Sequence, residues 1–221
     1  MAQQERAVRT RRAVLEAAAA VFAERGYAAA TIAEILNRAG VTKGALYFHF
    51  DSKAALARGV LQEQISTEYH VPRELKLQEW VDAGMTLADR LPREPLLLAG
   101  VRLSADLRGR NVFGSAWPAW AEFTAARLAE AKSRGEVLAH VVPEESAQVF
   151  LGAWTGVQLV SQALADWADL DERMAALFDH LLPAIAVPSV LDRLDTAPDR
   201  GARVIAEVRG RSRTALAGMR A

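Results

Sequence analysis

One stretch of the chain, Ala39-Gly-Val-Thr-Lys-Gly-Ala-Leu-Tyr-Phe-His-Phe50, carries residue types suited to gripping nucleic acid. A Lys at position 43 bonds a guanine edge or a phosphate, and Gly44 lets the backbone approach closely. Tyr47 and His49 are aromatic donors able to reach phosphate oxygens. Thr42 caps the short helix that holds them, and Ala45 belongs to its first turn. Thr31 and Lys53 stand at expected helix N-termini, where free backbone N–H groups attract phosphate. Arg6 and Arg9, with Thr10, are placed for an N-terminal arm against the DNA backbone or minor groove. On residue types alone, the alternative is a helical hairpin that exposes Tyr and His on ordinary surface.

Catalytic chemistry finds little support. The four histidines, His49, His70, His140 and His180, do not pair at metal-ligand spacing, and there is no H-E-x-x-H, G-x-S-x-G or P-loop pattern. With no cysteine there is neither a thiolate nucleophile nor a thiolate metal site. No enzyme, cofactor or metal site is expected.

The elements that must position these residues read as helices. Apolar residues recur at intervals of three and four, sustained period-two alternation is missing, and the expected class is all-α. About nine or ten helices are expected between Gly and Pro breaks. The first should span 5–25, with Gly26 just past its end. Thr31-Ile-Ala-Glu34 is a capping-box pattern opening a second short helix, and Gly40 suits a turn of positive φ. Thr42 should cap 43–48, and Ser52 should cap a helix running to about Glu68. Two short helices joined through a Gly form a helix-turn-helix, whose second member lies in the major groove. The stretches 144–166 and 174–194 are apolar on every side and should be buried on every side, against their symmetry mates in a twofold dimer. The last residues, from Arg209, are expected to fray.

The bulk numbers agree. The chain has 221 residues, 51% of them hydrophobic, enough for a sizeable core. A net charge of zero conceals +3 over 1–55, +4 over 198–221 and −7 between them. A basic head on an acidic body suits a protein whose first segment meets phosphate. No apolar run is long enough to span a membrane and the N-terminus lacks a signal-peptide core, so a cytoplasmic, nucleoid-associated protein is expected. The division is expected at a DNA-binding domain of 1–52 and a helical ligand-binding and dimerisation domain of 53–221.

Residues 6–64 resemble the TetR family of bacterial repressors through Thr31-Ile-Ala-Glu-Ile35, the 39–50 stretch and Ser52-Lys-Ala-Ala-Leu56. The resemblance implies a symmetric dimer on double-stranded operator DNA, released by a small molecule bound in the body. The body is similar to the Streptomyces-type γ-butyrolactone autoregulator receptors. Gly100-Val-Arg-Leu-Ser104, Trp117-Pro-Ala-Trp120, Gly135-Glu-Val-Leu138, Gly152-Ala-Trp-Thr-Gly-Val-Gln-Leu-Val-Ser-Gln162 and Leu182-Pro-Ala-Ile-Ala-Val-Pro-Ser-Val190 carry that likeness. It implies a lactone or butenolide effector and control of secondary metabolism. Pseudo-receptors with the same motifs answer instead to antibiotics or biosynthetic intermediates.

A neutral lactone needs an apolar cavity with few donors. The resemblance places Gln64, Trp120 and Thr155 at pocket positions. Thr155, Gln158 and Ser161 are spaced by three and share a helical face, among Trp154, Val157, Leu159 and Val160. The alternatives are a core aromatic for Trp120, a Thr155 hydroxyl bonded to its own i−4 carbonyl, and an interface role for Gln158.

Overall fold

The computed structural model describes residues 2–65 and 69–218. In chain order the helices are α1 (Ala2–Ala29), α2 (Ile32–Ala39), α3 (Lys43–His49), α4 (Lys53–Gln62), α5 (Lys76–Arg90) and α6 (Pro95–Ala105). Next come α7 (Arg110–Phe113), α8 (Trp117–Ser133), α9 (Pro143–Ala165), α10 (Leu170–Leu181), a 3₁₀ turn (Leu182–Ala184), α11 (Pro188–Leu191) and α12 (Arg200–Gly218). Among the described residues the extended pairing amounts to one isolated antiparallel bridge, Val137 to Ala186. The fold is all-α, as the periodicity requires. It has more helices than the Gly and Pro punctuation implied, because α7 and α11 are single turns lying at residues that read as breaks. Two other ends differ from expectation. α4 stops at Gln62, short of Glu68, which lies outside the described residues, and α12 continues through Arg209 to Gly218 instead of fraying.

The residues fall into two units, 1–65 with 93–118, and 66–92 with 119–221. The expected 1–52 head is contained in the first, which also takes in α4, α6 and α7.

Local chemistry builds the first unit. Gly26 sits at φ 73°, ψ 171°, a region open essentially to glycine, and separates the last turn of α1 from the rest. Thr31 and Glu34 form a reciprocal capping box: Glu34 N–H donates to Thr31 Oγ1 at 3.2 Å, and Thr31 N–H to Glu34 Oε2 at 3.0 Å. Gly40 closes α2 in the left-handed region, with its N–H on the Leu36 carbonyl. The Thr42 and Ser52 hydroxyls accept from Ala45 N–H and Ala55 N–H, starting α3 and α4. Val14, Phe22, Ile35, Leu46, Leu56, Val60 and Leu103 close the core of this unit, each essentially inaccessible to solvent.

In the second unit α5 is central, and its first turn is held by a carboxylate from elsewhere in the chain. Buried Glu136 accepts from Lys76 N–H at 3.0 Å and Leu77 N–H at 2.8 Å, satisfying donors that the helix cannot. α12 lies directly on α5. A Cβ added at Gly201 would come within 2.2 Å of the Met85 carbonyl oxygen, a backbone atom with no freedom to withdraw. Gly201→Ala is therefore expected to destabilise the fold by about 2 kcal/mol, read as a lower denaturant midpoint at unchanged m-value. An unchanged midpoint would show that α12 shifts freely.

Candidate nucleic-acid interface and internal cavity

α2, Gly40 and α3 form the expected helix-turn-helix. Leu46 and Phe50 face the core, whereas Thr42, Lys43, Gly44 and Tyr47 are exposed and Ala45 and His49 half-buried. Lys43 Nζ lies 5.9 Å over the Tyr47 ring, so cation and phenol share one outward side. Phe48 was not singled out from the sequence, yet it is 78% exposed and meets His49 edge-on at 5.0 Å. An apolar ring reads as core. The signal available was its place four residues after Gly44, on the same side of α3. Thr31 is exposed, with its hydroxyl and N–H engaged in the capping box.

Two expectations about this face need correcting. Arg6 and Arg9, and Thr10 with them, lie on α1, which is already helical from Ala2, so the segment expected as an N-terminal arm is part of that helix. Lys53 points inward. Its ammonium donates to the carbonyls of Tyr27 at 2.8 Å and Ala30 at 2.9 Å, and lies 4.4 Å over the Tyr27 ring. It satisfies carbonyls around the Gly26 break, and the half-buried ammonium is turned towards its own unit.

The second unit contains a cavity lined by Trp80, Ala83, Gly84 and Leu87 of α5, Trp120, Phe123 and Thr124 of α8, and Phe150, Leu151 and Trp154 of α9. None of these side chains is charged. Its free volume is about 30 Å³, room for a water or two. A cluster of charges surrounds Glu79, the residue before Trp80, and its Arg127 lies 5.2 Å over the ring of Phe123. Glu79 is fully enclosed and accepts from Lys76 Nζ at 2.6 Å, His70 Nε2 at 3.0 Å, Arg127 Nη1 at 3.1 Å and Arg73 N–H at 2.9 Å. Burial opposes the charge, but the bonds from Lys76, Arg73 N–H and His70 outweigh it and lower the carboxyl pKa to about 2.

Of the five residues expected at a ligand, Trp120 is in the lining, half-buried, its ring edge-on to Phe123 at 5.9 Å. The other four are placed otherwise. Thr155 donates to its own i−4 carbonyl, Leu151, at 2.8 Å. Ser161 donates to Asp169 at 2.7 Å and so ties α9 to the turn before α10, where Asp166 and Trp167 both take positive φ. Gln64 belongs to the first unit, where its Nε2 donates to the carbonyls of Val60 and Leu96, both at 2.9 Å, and its amide packs on Gly100. Gln158 is buried outside the cavity lining, and its Oε1 has no partner among the described residues. The sequence reading missed Trp80, Gly84, Phe123 and Phe150.

Residues 14–60 match the family model described as bacterial regulatory proteins, tetR family. Over 95% of its length the chain is 40% identical to the A-factor receptor protein of Streptomyces griseus, covering 81% of that protein. The chain belongs to the TetR family. This TetR-family chain also superimposes on TylP, a TetR regulator from Streptomyces fradiae, with a TM-score of 0.86 and 40% identity, over 92% of this chain and 99% of that one. A crystal structure of a gamma-butyrolactone receptor, ArpA-like, matches with a TM-score of 0.68 and 27% identity, over 91% and 99%. The TetR-family protein is thus a DNA-binding transcriptional repressor whose helix-turn-helix is α2 and α3. Among its described residues no helix is long and apolar enough to cross a membrane.

Proposed function

We propose that this repressor acts in the cytoplasm as a homodimer on a near-palindromic operator, and leaves it when a γ-butyrolactone or butenolide enters the cavity at Trp120, so controlling secondary metabolism. The observation that carries the ligand class is the uncharged, aromatic lining of that cavity. A neutral ring with an apolar tail loses little on entering such a site, whereas an ion would lose its hydration uncompensated.

The outward side of α9 supports the dimer. Val149, Val160 and Leu164 are exposed, Gly152 and Gly156 have open space where a Cβ would stand, and Ala176 and Leu177 of α10 adjoin the same groove. A second copy of this face covers it, and twofold symmetry then presents two α3 helices to two half-sites.

Emptying an operator from nearly full occupancy requires the effector to favour the DNA-incompetent state by about 5 kcal/mol. One hydrogen bond contributes about 1 kcal/mol, and each buried CH₂ about 0.8 kcal/mol. The tail of the effector therefore supplies most of the discrimination, after the side chains around the small free volume have moved aside. The decisive experiment is a gel shift on the DNA upstream of the protein's own reading frame, titrated with butyrolactones, butenolides and antibiotics. Release by long-tailed lactones at lower concentration than by unsubstituted butyrolactone is expected; release by an antibiotic alone would replace the ligand class.

On the DNA side, Lys43→Ala should weaken operator binding about tenfold or more and lower its salt dependence by about one phosphate contact. Unchanged affinity and salt slope in fluorescence anisotropy would remove Lys43 from the interface.

A further inference from the structure

We propose that Trp80 is the hydrogen-bond donor that reads the effector's carbonyl oxygen, an inference that rests on the neutral-lactone reading above. Trp80 lines the cavity from α5 and is 1% exposed, and its indole Nε1–H has no acceptor among the described residues. A buried donor without a partner is costly, and a native structure rarely retains one without a use.

The ring is held where it is. Phe150 meets it edge-on at 4.8 Å and Phe178 at 5.2 Å, and those two stack on each other at 5.5 Å. Gly84 permits this packing, since a Cβ there would come within 2.7 Å of Phe178. The indole cannot turn to find an acceptor elsewhere without dismantling the aromatic cluster. We assign the missing acceptor to a molecule that enters the cavity Trp80 lines.

The same lining restricts what that acceptor is. Among the described residues no cation lines the cavity: Arg127 lies 5.2 Å over the Phe123 ring but donates to Glu79, as does Lys76. A carboxylate entering here would find one neutral donor and no counter-charge. A closed lactone offers a carbonyl oxygen without charge, whereas its hydrolysed hydroxy acid is an anion at neutral pH. The uncharged lining thus selects the closed ring over its anion and Trp80 selects for a carbonyl, so ring opening by hydrolysis erases the signal.

The test uses the full-length protein and a panel of γ-butyrolactones bearing alkyl tails. The tightest binder is compared with its carbonyl-free tetrahydrofuran analogue and its ring-opened hydroxy acid. The five tryptophans give five indole N–H resonances, and Trp80→Phe assigns the one of interest while keeping an aromatic ring in place. The lactone is expected to move the Trp80 indole proton downfield and the analogue to leave it in place. Trp80→Phe should weaken the lactone about tenfold and affect the analogue less than about twofold. The hydroxy acid should bind at least about tenfold more weakly than the lactone. If the lactone binds and releases DNA while the Trp80 resonance stays in place, or if lactone and analogue respond alike, the donor role is overturned. Should Trp80→Phe fail to fold, the resonance of the wild type still decides. If no lactone binds the wild type, the ligand reading beneath this inference falls, and the two failures are told apart by that control.

Discussion

Trp120→Ala should bind its operator as the wild type does and hold on to it at effector concentrations that release the wild type. Trp120 lies in the second unit, half-buried on α8, with Phe123 as its aromatic neighbour. The bonds that shape α3, from Ala45 N–H to the Thr42 hydroxyl and from Phe50 N–H to the Leu46 carbonyl, lie wholly within the first unit. Removing the indole leaves those bonds intact. In the cavity it deletes one aromatic wall of a site whose affinity depends on apolar contact. Truncating a buried aromatic anchor at a binding site typically costs about 2–4 kcal/mol, so the effector concentration for half-release should rise at least about thirtyfold. Fluorescence anisotropy on labelled operator, titrated with lactone, reads both quantities in one experiment. Release at the wild-type concentration would remove Trp120 from the site. Loss of DNA binding without ligand would make it a structural residue.

The parts of this repressor that were legible in its sequence are those fixed by neighbours three or four residues away. Thr31 and Glu34, Thr42 and Ala45, Ser52 and Ala55, and Gly40 each settle a helix end within one turn, and the order of residue types carries that chemistry. The all-α class follows for the same reason. The cavity depends on contacts between α5, α8 and α9, and there spacing misleads. Thr155 and Ser161 each lie one step of three from Gln158, but a hydroxyl takes the nearest acceptor. For Thr155 that is the Leu151 carbonyl, and for Ser161 it is Asp169, across a turn in which Asp166 and Trp167 adopt a conformation more usual for glycine. α5 was opaque for a different reason. Glu79 and Asp82 look like a solvated side of an amphipathic helix, yet both are buried by partners far along the chain: Arg127 reaches Glu79, and Arg200 reaches Asp82 at 2.7 and 2.8 Å. No local pattern announces a carboxylate that will be enclosed by distant cations, and nothing local in α5 sets Trp80 apart from ordinary core. Lys53 fails in the same way, its ammonium drawn to carbonyls more than twenty positions earlier.

Glu79→Gln should produce the largest loss of stability and should do so in a pH-dependent manner. The wild-type carboxyl titrates at about 2 in the fold against 4.5 as its ordinary value. Because the folded value is the lower one, the stabilisation is complete above about pH 5, where both states are ionised. It falls as the pH drops from about 5 to 2, where the unfolded chain takes up the proton first. The shift corresponds to about 3 kcal/mol, which is credible for a carboxylate whose side chain is fully enclosed. Gln keeps the shape and one acceptor but leaves Lys76 and Arg127 facing a neutral group. Removing one partner of a buried charge cluster costs more than the cluster contributes net, because the remaining charges stay desolvated. At neutral pH the variant should melt roughly 6–12 °C below the wild type. Asp195 and Glu207 also have lowered pKa values, held down first by bonds from Arg203 and Arg73 respectively, so the wild type loses further stability in acid. The gap between wild type and variant isolates Glu79, and it should narrow as the pH falls towards 2 and both proteins carry a neutral side chain at this position. Thermal unfolding followed by circular dichroism from pH 7 to pH 3 measures that gap, and parallel curves across the range would show that the buried charge of Glu79 is not what holds α5 to Arg127 and His70.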